Sequence, residues 1–153
     1  MTVAVRPGTA ADRAFVEDLA ERTVMASVPS FRHPPEAMVR VALSRLLEIV
    51  EGQSHVTLIA HDDDAPVGFA LMLDELPDEV TSIAQGFIAY MAVEPDHQGR
   101  GIGAALLRGA EDEARRRGLP YMTLMVTEEN AAARALYERG GYFTERRLLC
   151  KPL

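Results

Sequence analysis

Three alternating glycines, Gly99, Gly101 and Gly103, stand at the start of a predicted apolar helix in the stretch HQGRGIGAALL. The unpaired N–H groups at a helix start stabilise an anion, and glycine lets the backbone approach a ligand closely. Arg100 would add a charged, forked donor. The pattern predicts an anion-binding turn, and the alternative is a glycine-rich connection with no ligand.

Two well-known phosphate motifs fit this turn poorly. The P-loop ends in Gly-Lys-Ser or Gly-Lys-Thr, and the sequence contains neither triplet. Gly99, Gly101 and Ala104 match the dinucleotide fingerprint G-x-G-x-x-A, but EPDHQ separates them from the preceding strand and no acid follows about 20 residues later. A nicotinamide-dependent oxidoreductase is therefore a weak alternative.

The turn resembles motif A of the GNAT superfamily of N-acetyltransferases, Q/R-x-x-G-x-G/A, over Gln98 to Gly103, after the approach YMAVEPDH. The stretch ENAAARALYERGGYF resembles motif B of the same family, and the element order agrees along nearly the whole chain. The resemblance implies an α/β (α+β) fold with a mixed, mostly antiparallel sheet, flanked by helices and splayed at the cofactor site. It also implies an acetyl-CoA-dependent N-acetyltransferase that transfers the acetyl group directly to a primary amine.

By this resemblance the anion is the pyrophosphate of acetyl-CoA, and the end of the central strand pairs its backbone with the pantetheine arm. Asn130 would bind near that arm; it is also a typical helix N-cap, and the two roles can coexist. The implied cofactor-binding residues are Met91, Ala92, Val93, Gln98, Gly99, Arg100, Gly101, Ile102, Gly103, Ala104, Asn130 and Ala133.

Tyr137 is the candidate general acid. It follows Asn130 by seven positions, so both residues share one face of the predicted helix. A departing thiolate has a basicity near the value of about 8.5 for a free thiol, and a phenol near about 10 can protonate it if the site lowers the phenol pKa. A tyrosine at this place has that role in the family. The alternative is an aromatic that packs under the helix with its hydroxyl bonded to the backbone.

The group that accepts the amine proton has no clear motif. Glu94 is our expected second catalytic residue, and the alternatives are Tyr90, Glu75, Asp78 and Glu79. A backbone N–H near Val93 would stabilise the developing oxyanion. A chain without an efficient base would instead be a non-catalytic acyl-CoA-binding or regulatory module.

The distribution of charge bears on the partner. The net charge is -7, and the interval between Arg45 and Arg100 has no Lys or Arg but eleven acids. Such a chain is a poor match for nucleic acid, which needs a basic surface. The interval favours a cationic acceptor, either a small molecule or a peptide amine. His61 with Asp62 to Asp64 favours a polar hairpin turn over a metal site, so no metal is expected.

The elements that must position these residues form one predicted domain over residues 1–153. A single cysteine, Cys150, and the lack of a leader-like start or a long apolar run predict a cytoplasmic protein with no membrane partner. The short ending after Gly141 is compatible with a homodimer in which a neighbouring subunit completes the sheet edge.

Local patterns predict the following elements. In chain order they are a strand VAVRP, a helix from a Thr9–Asp12 capping box to Arg22, a helix in PPEAMVRVALSRLLEIVEG, a hairpin of HVTLIAH and PVGFALMLD, a central strand FIAYMAVE, a helix GIGAALLRGAEDEARRR, a strand YMTLMVT, a helix NAAARALYER, and a final strand or tight hairpin in YFTERRLLCKPL. The second helix is predicted from apolar residues at Met38, Val41, Ala42, Leu46 and Ile49.

Overall fold

The computed structural model describes residues 2–153, and Met1 lies outside the described residues. One sheet contains five strands in sequence order: β1 (Val3–Pro7), β2 (His55–Asp62), β3 (Ala65–Leu73), β4 (Gly86–Val93) and β5 (Met122–Leu124). The first four strands pair antiparallel, and β5 runs parallel to β4. The predicted mixed, mostly antiparallel sheet is confirmed.

Helices cover both faces of this sheet. They are α1 (Arg13–Thr23), α2 (Glu36–Glu51), α3 (Ile102–Arg116) and α4 (Ala131–Arg139). Leu19 of α1 and Leu43 of α2 pack with Phe69 on one face, while Leu106 of α3 packs with Met72 on the other. Alternating side chains of the central strands therefore enter two separate cores, as a sheet between two helical layers requires.

The predicted capping box opens the first helical segment. The Thr9 amide donates to Asp12 Oδ2 at 2.8 Å, and a 3₁₀ turn over Ala10–Asp12 leads into α1. Arg6 of β1 donates to both oxygens of the buried Asp12, each at 2.8 Å. The ion pair fixes the start of α1 against the edge strand.

The α2 helix forms where predicted but buries a different face. Met38, Val41 and Ile49 are 62%, 52% and 55% exposed, whereas Val39, Leu43 and Val50 are buried. Apolar residues occur on more than one side of this helix, so their spacing alone could not identify the face that meets the sheet.

The predicted strand YMTLMVT is shortened to Met122–Leu124, and the predicted final strand is wrong. Residues 143–153 form no helix or strand. Phe143, Leu148 and Leu149 are 87%, 94% and 87% exposed. Arg146 and Cys150 contact Asp78 and Arg32, respectively, so the segment is tied at separate points and not along a strand ladder.

Among residues 2–153, no helix combines the length and the apolarity needed to cross a membrane.

Candidate active site

The sheet is open between β4 and β5. The two strands pair only through Gly86, Phe87 and Ile88 of β4. The second half of β4, including Met91 to Val93, therefore runs beyond the end of the ladder with β5. Because backbone groups on that side of β4 have no strand partner from β5, an extended ligand can pair with them as an added strand would.

A β-bulge interrupts β4 beside this gap. The register with β3 shifts where Leu71 pairs with Tyr90 and Met72 pairs with Ile88. Ala89 and Tyr90 consequently both pack on the α1 and α2 side, and Met91 returns to the α3 side. A bulge of this kind bends a strand and redirects its side chains, which here places Tyr90 next to the last turn of α1.

The glycine turn lies between β4 and α3. After a 3₁₀ turn over Pro95–His97, Gly99 and Gly101 have φ values of +76° and +81°, which side chains disfavour. A Cβ added to either glycine would meet no heavy atom within 4 Å. These two glycines are required by backbone conformation, and the space around them is free for a ligand.

Backbone donors face this space. The first intrahelical hydrogen bond of α3 runs from the Ala105 amide to the Gly101 carbonyl, at 3.0 Å. The amides of Ile102, Gly103 and Ala104 precede it, so they have no acceptor within the helix. Gln98 and Arg100 are exposed beside them, and Gln98 Nε2 lies 3.4 Å from the Val93 carbonyl oxygen. This arrangement fits a phosphate-like anion.

Gly103 has a packing role in addition to its amide. An added Cβ would lie 3.0 Å from Leu136 Cδ2 of α4. The small residue thus lets α4 approach the first turn of α3, which explains the third glycine of the motif by helix packing.

Two candidate residues frame α4. Asn130 is the N-cap: its Oδ1 accepts the Ala133 amide at 3.2 Å, so the capping alternative is realised. Tyr137 is half-buried and meets Tyr142 edge-on, with ring centroids 6.1 Å apart. Within residues 2–153 the Tyr137 hydroxyl has no hydrogen-bond partner, unlike Tyr142, which donates to Glu111. Burial raises the Tyr137 pKa, so this environment does not supply the expected lowering.

Glu94 lies at the end of β4 but is engaged by an arginine. Arg22 of α1 donates to both carboxylate oxygens, at 2.7 and 3.0 Å, and also bonds Asp18. A carboxylate bound at both oxygens by a guanidinium would have to break this ion pair before it could accept a proton from the amine. The geometry argues against Glu94 as a general base.

Of the alternative bases on the loop after β3, Asp78 is engaged by other residues. Asp78 is buried, accepts from the Thr81 amide and hydroxyl, each at 2.7 Å, and pairs with Arg146. These contacts lower the Asp78 pKa, with Arg146 the largest cause. The residue therefore organises the loop after β3. Glu75 and Glu79 are exposed on that loop.

Residues 22–30 form a bridge across the gap that no sequence pattern predicted. It begins with the Arg22–Glu94 pair at β4 and continues to the loop after β5. There the Thr127 hydroxyl donates to the Ser27 carbonyl at 2.6 Å, and the Ser30 amide donates to Glu129 at 2.9 Å. These contacts join residues about 70 to 100 positions apart, and no local pattern encodes them.

Two cavities lie on the α1 and α2 side. One of about 360 Å³ is lined by Met25, Val28, Pro29, Ser30, His33 and Pro34, partly from the bridge. The other, of about 340 Å³, adjoins the Arg6–Asp12 pair at the far end of α1, with lining residues from segment 8–17, the end of α2, and strands β2 and β3. The first adjoins the gap, and the second is remote from it.

The predicted polar turn at Asp62 to Asp64 connects β2 and β3. Within the described chain, no group of three or more His, Cys, Asp or Glu side chains is placed to hold a metal ion. Three acids of the interval between Arg45 and Arg100 pair with arginines from outside it. Asp74 pairs with Arg117, Asp78 with Arg146, and Glu94 with Arg22.

Comparisons with known proteins agree with this geometry. The model of the acetyltransferase (GNAT) family matches residues 16–142. A mycothiol acetyltransferase from Beutenbergia cavernae is 43% identical over 84 residues, 55% of this chain and 27% of the relative. The [ribosomal protein bS18]-alanine N-acetyltransferase of Salmonella typhimurium is 38% identical over 92 residues, 60% of this chain and 57% of the relative. The chain thus spans between about a quarter and three fifths of these relatives.

Solved structures share the fold. A provisionally named acetyl transferase from Pyrococcus furiosus superposes with a TM-score of 0.84 at 24% identity, over 99% of this chain and all of that chain. AAC(6')-Iy, in complex with the bisubstrate analog CoA-S-monomethyl-acetylneamine, superposes with a TM-score of 0.70 at 17% identity, over 100% and 99% of the two chains. The family match covers most of the sequence, and it includes both the glycine turn and α4. The chain belongs to the acetyltransferase (GNAT) family.

Proposed function

We propose that this protein transfers an acetyl group from acetyl-CoA directly to a primary amine. The observation that carries the proposal is the combination of two open, positive-φ glycines before α3 with the second half of β4, which has no strand partner on its β5 side. One feature suits a pyrophosphate and the other suits an extended arm, and together they match the two chemically distinct parts of CoA.

The binding roles follow from these positions. The amides from Gly99 to Ala104, with Gln98 and Arg100, would hold the pyrophosphate. The backbone of Met91, Ala92 and Val93 would pair with the pantetheine arm, and the free amide group of Asn130 would reach the same arm beside Ala133. Acetyl-CoA supplies a reactive thioester, so no acyl-enzyme is needed.

Tyr137 is our candidate for the proton donor. A phenol with the ordinary pKa of about 10 carries its proton at physiological pH, and burial raises the Tyr137 pKa further. The Tyr137 hydroxyl has no hydrogen-bond partner within residues 2–153. The amine nitrogen forms the new bond to the acetyl carbon, the carbon–sulfur bond breaks, and the Tyr137 proton goes to the departing sulfur. A backbone N–H near Val93 would polarise the acetyl carbonyl. The proton released by the amine passes to solvent, and Tyr137 regains its proton from water.

The acceptor is proposed only as an amine. Of the similar proteins above, one is named for acetylation of an alanine of ribosomal protein bS18, and another is in complex with an acetylneamine bisubstrate analog. The earlier expectation of a cationic acceptor loses support, because several acids of the interval are paired with arginines.

Replacing Tyr137 tests the proposal. Tyr137→Phe removes only the acidic hydroxyl, so we expect the turnover to fall about 100-fold or more with an unchanged acetyl-CoA dissociation constant. Free-thiol release with an amine panel and calorimetric titration measure the two quantities. Tyr121→Phe is the matched control, since Tyr121 is 59% exposed and lies beside Gly86 at the start of β4, and it should behave as wild type. Undiminished turnover in Tyr137→Phe would rule out Tyr137 as the general acid. CoA binding with no turnover from any amine would indicate the non-catalytic regulatory module.

We also propose a homodimer. Residues 143–153 expose Phe143, Leu148 and Leu149, and a second copy would cover such side chains. Light scattering of the purified chain should give the mass of two chains, and Leu148→Glu with Leu149→Glu should give the mass of one. A single-chain mass for the wild type at high micromolar concentration would rule this assembly out.

A further inference from the structure

The last turn of α1 contacts the phenol of Tyr90. Thr23 Oγ1 and Tyr90 Oη are 3.0 Å apart, and Tyr90 Oη lies 3.4 Å from the Ala20 carbonyl oxygen. The Tyr90 ring is half-buried and stacks on Phe69, with centroids 5.8 Å apart and an interplanar angle of 16°. Both the ring and its hydroxyl are therefore held in place from one side.

The direction of the hydrogen bonds can be deduced. Thr23 Oγ1 is 2.8 Å from the Leu19 carbonyl oxygen, which can only accept, so the threonine proton is used there. Thr23 must then accept from Tyr90, and the Ala20 carbonyl can only accept as well. The phenol proton of Tyr90 is consequently directed into α1. The lone pairs of its oxygen are left for an external donor.

Tyr90 also lies where an acceptor must arrive. The β-bulge turns it to the α1 and α2 side of the sheet, immediately before the three β4 residues assigned to the pantetheine arm. The bridge of residues 22–30 starts beside it and crosses to Thr127 and Glu129 on the other side of the gap. The acetyl donor and Tyr90 would thus meet beneath this bridge, from opposite faces of β4.

We propose that the Tyr90 oxygen accepts a hydrogen bond from an N–H of the incoming amine, and that Thr23 is a positioning residue that fixes the direction of this bond. The inference rests on the proposed acetyl transfer. A nitrogen that attacks a carbonyl must aim its lone pair at the carbon, and an acceptor that holds one of its N–H groups orients that lone pair. Tyr90 is thereby an amine-orienting residue and not a base, because its own proton is already directed toward Thr23.

The test separates orientation from structural support. Tyr90→Phe keeps the ring stack but loses the acceptor oxygen, so we expect the KM for the amine to rise about three- to tenfold, with the acetyl-CoA dissociation constant unchanged. Thr23→Val keeps the shape but leaves only the more distant Ala20 carbonyl, at 3.4 Å, to accept the phenol proton. The direction of the Tyr90 hydroxyl is then fixed less firmly, so the same KM should rise. Thr23→Ser retains the hydroxyl and should restore the wild-type value.

Thr123→Val is the matched control, because it removes another hydroxyl-to-carbonyl bond, to Gly86 at 3.2 Å, at the opposite end of β4. It should leave the amine KM unchanged. If wild type releases thiol but neither Tyr90→Phe nor Thr23→Val alters the amine KM, the orienting role is wrong while acetyl transfer stands. If Thr23→Val and Thr23→Ser lower the melting temperature equally and raise the amine KM equally, Thr23 is structural only. If wild type releases no thiol with any amine, the proposed function fails and this inference fails with it.

Discussion

Gly101 joins conformation to ligand binding in a single residue. Its φ of +81° is in the left-handed region, and an added Cβ would touch nothing within 4 Å. The cost of a side chain would therefore come from the backbone and not from a clash. If the turn relaxed to avoid that cost, its amides would no longer converge on one anion.

We expect Gly101→Ala to lower the free energy of unfolding by about 1 kcal/mol and to weaken acetyl-CoA binding at least tenfold. Gly118→Ala is the control: Gly118 has a φ of +70° and equally open surroundings, but follows the far end of α3. Urea unfolding should give similar losses for both variants, while titration should find wild-type affinity only in Gly118→Ala. Equal affinities in both variants would show that this turn does not hold the cofactor.

At the scale of elements, α1 is attached to the sheet at both ends by charged pairs. Arg6 of β1 holds Asp12 at the start of the helical segment, and Arg22 at the end of α1 holds Glu94 after β4. Because Arg22 and Thr23 are adjacent, the placement of the whole helix determines how Tyr90 and Glu94 are held. The Arg6–Asp12 pair therefore supports the site from a distance.

The pH dependence of stability tests this attachment. The Asp12 pKa is lowered to about 2, and the hydrogen bond from Arg6 is the largest cause. The value in an unfolded chain is about 3.9. A lowered carboxyl pKa stabilises the fold above the unfolded value, and this stabilisation is lost as the pH falls from about 4 toward 2. Asp12→Asn should thus be less stable than wild type at pH 6 and lose less stability on acidification.

Urea unfolding at several pH values between 2.5 and 6 measures this difference. Asp112→Asn is the control, since Asp112 is exposed and pairs with Arg115 in solvent. Parallel pH profiles for Asp12→Asn and wild type would contradict the stabilising role of the ionised carboxylate.

Elements with strong local patterns were predictable, and contacts between distant segments were not. The capping box at Thr9 and Asp12 and the Asn130 N-cap are both local, and both are present. The Arg22–Glu94 pair joins residues 72 positions apart, so no local pattern shows that Glu94, the expected second catalytic residue, is engaged by an arginine. Likewise, residues 143–153 contain apolar side chains suited to a strand, but no paired strand edge meets them. The sequence was enough to predict the sheet, but the ion pairs between distant segments became visible only in the folded structure.

At the scale of the whole molecule, one sheet separates two cores, and this sheet is open where β4 and β5 diverge. The glycine turn and α4 lie beside this gap on the α3 side of the sheet, and the bridge of residues 22–30 lies beside it on the other side. In this arrangement acetyl-CoA and the amine can each approach β4 from a different face of the sheet. This division is the basis for direct transfer in our account.

Calorimetric titration of the protein with acetyl-CoA, CoA and NADH would show whether the glycine turn binds CoA. We expect one saturable site for acetyl-CoA and for CoA, with dissociation constants below about 1 mM, and no comparable heat from NADH. Gly101→Ala should weaken both CoA ligands while Gly118→Ala does not. Absence of CoA binding, or equal affinity for NADH, would contradict the assignment of the turn between β4 and α3 as a CoA site.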